Sequence, residues 1–296
     1  MKLIVALIIF IPGISHAQVS MIQDKSGETS LLLGKTKTIA FNSGDASMGA
    51  NMSFYKQPAK GKESFKGFSL KVKSNEGVAK LLDGYDFKPN FQFGIFGGRY
   101  LSSPRKSQSK YWYASGGVND SHFKLLDTVS NKLNNHDFFG YKVRGGINFL
   151  GVIGKNPTLS GVSLEFGRYN NTDDLKGADR YEYKMDGSNA IVLSGKKSGF
   201  KGGYYEHSML RLNADFIIFP RCISNQFGIG GYYRGDFGGP FAKHNIGFGF
   251  FLGQQGAPDK IVLGVVYQVN DIFNQVSDEP NFRKRTGISL TAGYNF

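Results

Sequence analysis

Four histidines follow the first seventeen residues, at His122, His136, His207 and His244. Two adjoin a serine, as Ser121-His122 and His207-Ser208, which supplies the side chains of a base and its nucleophile. Neighbouring residues of an extended chain point to opposite faces, so neither pair can act as that unit if its segment is a strand. His244 falls on an apolar stripe, and His136 falls in a polar stretch read as a loop. The acid pair Asp173-Asp174 stands among polar residues and is too thin for a calcium loop, and no Cys/His spacing fits zinc. The glycines of Gly228–Gly231 open no helix and therefore make no phosphate loop. Cys222 is the single cysteine, so an internal disulfide is excluded. No catalytic residue, cofactor or metal ligand is expected, and the chain is not read as an enzyme.

The remaining charges are better placed. Lys71, Lys73, Lys142, Arg144, Glu165, Arg211, Asp215, Arg234 and Asp236 each occupy the polar positions of a segment whose alternate positions are apolar. Period-two alternation belongs to strands with one apolar and one polar face. If the apolar face meets lipid, these charges point inward, because a cation facing the bilayer midplane costs ~2–4 kcal/mol. Inward bases alone would form an anion-favouring eyelet. The competing arrangement is a neutralised network, with Arg144 beside Glu165 on neighbouring strands, Arg211 with Asp215 along one strand, and Arg234 with Asp236 along another.

The elements that carry them are recognisable along the chain. Met1-Lys2, the apolar run Leu3–Ile11, Pro12-Gly13 and Ser15-His16-Ala17 make a secretory signal peptide over residues 1–17. That run is short of the ~20 residues a membrane helix needs, and no later run approaches that length. Residues 18–35 are read as a lead-in. From there to residue 296 the spacing predicts about twelve strands: 36–42, 48–55, 65–73, 91–96, 110–118, 138–150, 162–167, 205–219, 226–234, 244–252, 261–269 and 286–296. The intervening segments 119–137 and 171–203 are read as loops, the second carrying a hairpin around Asp186-Gly187. Forty glycines, 26 Phe and 15 Tyr suit strands that turn often and carry aromatic belts. Tyr100, Tyr111, Trp112, Phe149, Phe219, Phe227, Tyr294 and Phe296 are expected to form such a belt at one rim.

The last stretch decides between architectures. In Thr286–Phe296, Ile288, Leu290, Ala292, Tyr294 and Phe296 alternate with small or polar residues, and the chain stops on the aromatic. A secreted soluble sandwich or barrel is the alternative. The ending Tyr294-Asn295-Phe296 resembles the C-terminal signature of bacterial outer-membrane β-barrels, which the barrel assembly machinery reads. The resemblance implies an all-β, antiparallel transmembrane barrel in the outer membrane of a Gram-negative bacterium, with both termini periplasmic. It also implies short periplasmic turns, long outer loops, and contact with outer-membrane lipids and lipopolysaccharide.

A net charge of +13, or +12 without Lys2, favours anionic partners. Nucleic acid is a poor partner for an exported chain. Two functions are expected to compete: a passive channel for small solutes, anions favoured, and a non-conducting barrel that is a structural or docking component of an envelope complex. The basic turn Arg105-Lys106 is one docking surface on the second reading. Lipid-modifying barrel enzymes resemble this size class and form the third reading, which the histidine geometry disfavours.

Overall fold

The computed structural model describes residues 37–42, 47–56, 63–73, 90–101, 108–172, 175–185, 191–223, 226–239, 242–254, 257–275 and 281–295. The leader, the lead-in, Arg105-Lys106, Asp173-Asp174, the Asp186-Gly187 turn and Phe296 lie outside them. Fourteen strands form one sheet: β1 (Lys37–Asn42), β2 (Ser47–Lys56), β3 (Ser64–Lys73), β4 (Asn90–Tyr100), β5 (Ser109–Asp127), β6 (Lys132–Ile153), β7 (Asn156–Asn170), β8 (Lys176–Met185), β9 (Ile191–Lys201), β10 (Glu206–Ile218), β11 (Phe227–Phe237), β12 (Lys243–Gln254), β13 (Ala257–Val269) and β14 (Thr286–Asn295). A short 3-10 helix, Phe282–Arg285, leads into β14.

The hydrogen-bonded order runs β4-β3-β2-β1-β14-β13-β12-β11-β10-β7-β6-β5, and β5 pairs again with β4. Twelve of the fourteen strands therefore have a partner on each side, all antiparallel, and β8–β9 is a separate hairpin attached to β5. This is a β-barrel, in which no wall strand keeps an open edge.

The faces are inverted relative to a water-soluble core. Along β7, Val162, Leu164 and Phe166 are 49%, 53% and 50% exposed, while Gly161, Ser163, Glu165 and Gly167 between them are buried. The same alternation puts Phe93 and Ile95, Phe139 and Val143, Phe248 and Phe250, and Ile288 and Leu290 outside. Large apolar residues out and polar residues in is the pattern of a wall that meets lipid.

Three expectations are corrected. First, 119–137 is not a loop. β5 and β6 continue pairing from Ser121↔Phe138 to Asp127↔Lys132, beyond the last β4–β5 pair, Phe91↔Asp120. Seven further pairs extend the hairpin by about 23 Å. It lacks the outward apolar stripe, which is the feature that made the other strands legible. His136 accordingly lies on β6. Second, the hairpin within 171–203 is longer than expected, reaching Lys176↔Lys201. Third, part of the aromatic belt is internal. Tyr111 and Phe219 are fully buried, and Tyr100 packs on Tyr55, Phe65 and Tyr111. Trp112 and Phe149 do remain outside, and Phe227 stacks on Phe250 of the outer face.

Candidate functional site: the barrel interior

The interior falls into two zones. At the end where the connections are short, two apolar clusters line the interior. One gathers Leu159, Ile217, Phe219, Tyr232, Phe251, Ile261 and Val266. The other gathers Phe65, Phe96, Tyr111 and Tyr113 with Tyr55 and Tyr100, and Leu150 packs against both. Glycines make this packing possible. Phe65 lies opposite Gly98, Phe96 opposite Gly67, Tyr113 opposite Gly146 and Tyr232 opposite Gly247 in the ladders. Each ring lies flat across the glycine it faces. A Cβ on Gly98 would meet Phe65 Cζ at 2.5 Å, one on Gly67 would meet Phe96 Cζ at 2.5 Å, and one on Gly146 would meet Tyr113 Cε1 at 2.6 Å. The strand glycines thus let the aromatics pack over the neighbouring strand without pushing the wall apart.

Beyond this floor lies a row of alternating charge. Cross-strand register carries Arg144 (β6) to Glu165 (β7), Arg211 (β10), Asp236 (β11) and Lys243 (β12) in one circumferential line. Glu165 is fully buried and accepts from Arg144 Nε at 2.6 Å and from the Tyr169 hydroxyl at 2.6 Å. Arg211 grips Asp236 with both nitrogens, Nε to Oδ1 at 2.5 Å and Nη2 to Oδ2 at 3.0 Å, and its guanidinium lies over the Tyr169 ring. One row nearer the floor, Arg234 donates from Nη2 to Asp215 at 2.6 Å and from Nη1 to the carbonyls of Ala214 and Tyr233. Its guanidinium covers the Tyr232 ring at 4.5 Å.

Six of the nine expected lumen residues therefore come together as three ion pairs. The Arg144–Glu165 pair is as expected. The other two are exchanged: Arg211 takes Asp236 rather than Asp215, and Arg234 takes Asp215 rather than Asp236. Arg211 and Asp215, four apart on one strand, are about 13 Å apart, whereas Arg211 and Asp236 are directly opposed at about 5 Å, and Arg234 reaches Asp215 across the diagonal. Lys142 and Lys71 share the inward parity of their strands and are half-buried, and for Lys73 the structure describes only the backbone, paired with Ser47 and Asn90. Tyr294 pairs with Ile39 through the backbone.

Several further polar groups stand at inward positions. Lys243 completes the charged row, Asn148 donates to the Tyr111 hydroxyl at 3.1 Å, and Asn213 donates to Ser163 Oγ at 3.4 Å. Gln268 bonds both the Tyr232 hydroxyl and Asn270. Each sits at a polar position of its alternation, and the pairing of β5–β6, β7–β10 and β11–β13 decides what it meets.

The histidines stay dispersed. His122 bonds Asp137 Oδ1 at 2.7 Å on the projecting hairpin, and His244 bonds the Tyr233 hydroxyl at 2.7 Å on the outer face among Phe237 and Phe273. His136 stacks on Phe123, and His207 meets Tyr205. Among the described residues no group of three His, Cys, Asp or Glu is arranged to hold a metal.

No family model and no curated protein matches the sequence. Among solved structures, the β domain of the Bordetella autotransporter BrkA is similar at a TM-score of 0.36 and 10% identity, over 88% of this chain and 96% of that one. At that score the likeness adds nothing to what the strand pairings establish.

Proposed function

We propose that the chain is a bacterial outer-membrane barrel whose lumen is closed, and that it serves the envelope as a structural or docking component rather than as a pore. The membrane reading rests on the inverted faces: a continuous apolar exterior around a polar and aromatic interior is stable in lipid and costly in water. Twelve wall strands put the start of β1 and the end of β14 at the short-connection end, which is the periplasmic side in such barrels.

One observation favours closure over conduction. The two apolar clusters meet at Leu150 and line the interior at one end, which favours an entrance of packed rings over a water-filled one. The charged row beyond them alternates in sign, and its arginines are committed to carboxylates. An eyelet that selects anions needs basic groups facing water. What the barrel offers instead is the projecting β5–β6 hairpin with β8–β9 beside it, a rigid extramembrane surface. Phe123, His136, Phe200 and Tyr204 fasten the two hairpins together.

Single-channel recording of the refolded mature chain in a planar bilayer tests this reading. Silence from a heat-modifiable, folded barrel is expected. Stable anion-selective steps, altered by Lys142→Glu, would overturn closure and restore the channel.

A further inference from the structure

Along the apolar belt, β2–β5 turn four exposed cations outward, and each closes its strand's stripe on the short-connection side. Lys56 follows Phe54 on β2, and Lys66 precedes Phe68 and Leu70 on β3. Arg99 follows Phe93 and Ile95 on β4, and Lys110 precedes Trp112 on β5. An outward cation is costly at the bilayer midplane and nearly free at the interface, which accounts for this placement.

Three of these cations stand directly opposite an aromatic ring of the neighbouring strand. Lys66 faces Phe54, Arg99 faces Trp112, and Lys110 faces Phe149. The Lys110 ammonium lies 5.5 Å from the centre of the Phe149 ring. All three rings are themselves on the outside of the wall.

No carboxylate answers them on this arc. β2, β3 and β4 contain no Asp or Glu, and β5 and β6 contain none between their short-connection ends and Asp120 and Asp137. Glu63, just before β3, is buried. On β12, six strands from β4 around the wall in either direction, Phe250 faces Ile229 and Val265 instead. The positive charge is therefore local, of one sign, and held at the edge of an apolar surface.

We propose that this arc, from β2 to β6, is a binding site for anionic phospholipid of the periplasmic leaflet. Lys66, Arg99 and Lys110 take the headgroup phosphate, and Phe54, Trp112 and Phe149 seat the adjoining glycerol and upper acyl chain. Aromatic rings settle at headgroup level, and each cation beside an anionic lipid surface adds to the attraction. The Arg99 guanidinium can grip two phosphate oxygens at once. The proposal rests on the membrane-spanning reading above, and its test separates the two.

Trp112 is the one tryptophan of the chain, so its fluorescence reports the lipid beside the site. The mature chain is folded into phosphatidylcholine vesicles that hold a fixed small fraction of lipid brominated on its acyl chains. That lipid is phosphatidylglycerol in one set and phosphatidylcholine in the other, and the bromines quench indole on contact. The expected result is stronger quenching by phosphatidylglycerol, matching a local enrichment of about fivefold for each cation engaged. The excess should vanish in high salt and in the variant Lys66→Gln, Arg99→Gln, Lys110→Gln. A chain carrying Trp112→Phe and Phe250→Trp, with its reporter on β12, should be quenched equally by the two lipids. Equal quenching at Trp112 overturns the site. An excess that survives the triple variant, or that is as large at position 250, overturns its assignment to these cations. If neither lipid quenches Trp112 in a folded, heat-modifiable barrel, the spanning reading has failed with it.

Discussion

Arg234 stands opposite Asn213 in the β10–β11 ladder, yet its guanidinium reaches diagonally to Asp215, two positions along, with both side chains closed to solvent. The diagonal is set by what surrounds it. The Tyr232 ring supports the guanidinium from below, and the Ala214 and Tyr233 carbonyls hold Nη1. Removing one partner of such a buried pair strands the other's charge, so Arg234→Ala is expected to cost ~3–5 kcal/mol. Replacing both with apolar residues of similar volume should recover most of that loss. Urea unfolding of the lipid-folded barrel measures both.

The exchange of partners between β10 and β11 is directly testable. A double-mutant cycle on Arg211 and Asp236 should show a coupling of ~0.5–3 kcal/mol, while Arg211 and Asp215 should add within ~0.3–0.5 kcal/mol. Coupling in the second cycle and none in the first would mean that the register is wrong.

The glycines opposite aromatic rings are expected to resist enlargement. Gly98→Val would drive a methyl-bearing Cβ into Phe65 and the Trp112 carbonyl. Overpacking of this kind costs ~1–3 kcal/mol. Gly145→Ala makes the comparison, because a Cβ there meets nothing within 4 Å. Equal denaturation midpoints for the two variants would contradict the packed floor.

Position along the wall should set the cost of an outward cation. Leu164→Arg, in the middle of the β7 stripe, is expected to cost ~2–4 kcal/mol, and Phe139→Arg, next to the projecting hairpin, only ~0–1 kcal/mol. Folding yields into vesicles, followed by heat-modifiability, give the order. A reversed order would place the membrane elsewhere on the barrel.

At the tip of the β5–β6 hairpin, Asp127 accepts hydrogen bonds from the Ser130 hydroxyl and from the amides of Val129 and Ser130, and these hold its carboxyl below its ordinary 3.8. A depressed acid stabilises the turn above the unfolded value and loses that contribution as pH falls through the folded one. The Val129 and Ser130 amide resonances should therefore titrate together below 3.8. Asp127→Asn should abolish that transition while the barrel resonances stay fixed.

The wall was legible because an outward apolar stripe imposes a simple code. Residues such as Val162-Ser163-Leu164-Glu165-Phe166 alternate without error, and each alternation marks a strand and its inward face. Where the stripe ends, the code lapses. The segment 119–137 pairs as regularly as any other, but His122, Lys124, Asn134 and Asn135 give it no apolar stripe to betray it. Tyr111 and Phe219 misled for a related reason, since an aromatic at a strand end serves a membrane interface or an interior floor equally well. Only the glycine opposite it tells which.

The sequence by itself determined which side of each wall strand faces inward, because side chains alternate strictly along an extended chain. It could not determine which inward charge meets which, because that depends on cross-strand register, and register is fixed only when turns, bulges and ring closure act together. Tertiary structure alone therefore placed Asp236 against Arg211 and Asp215 against Arg234, and made one row of charges from five separate strands.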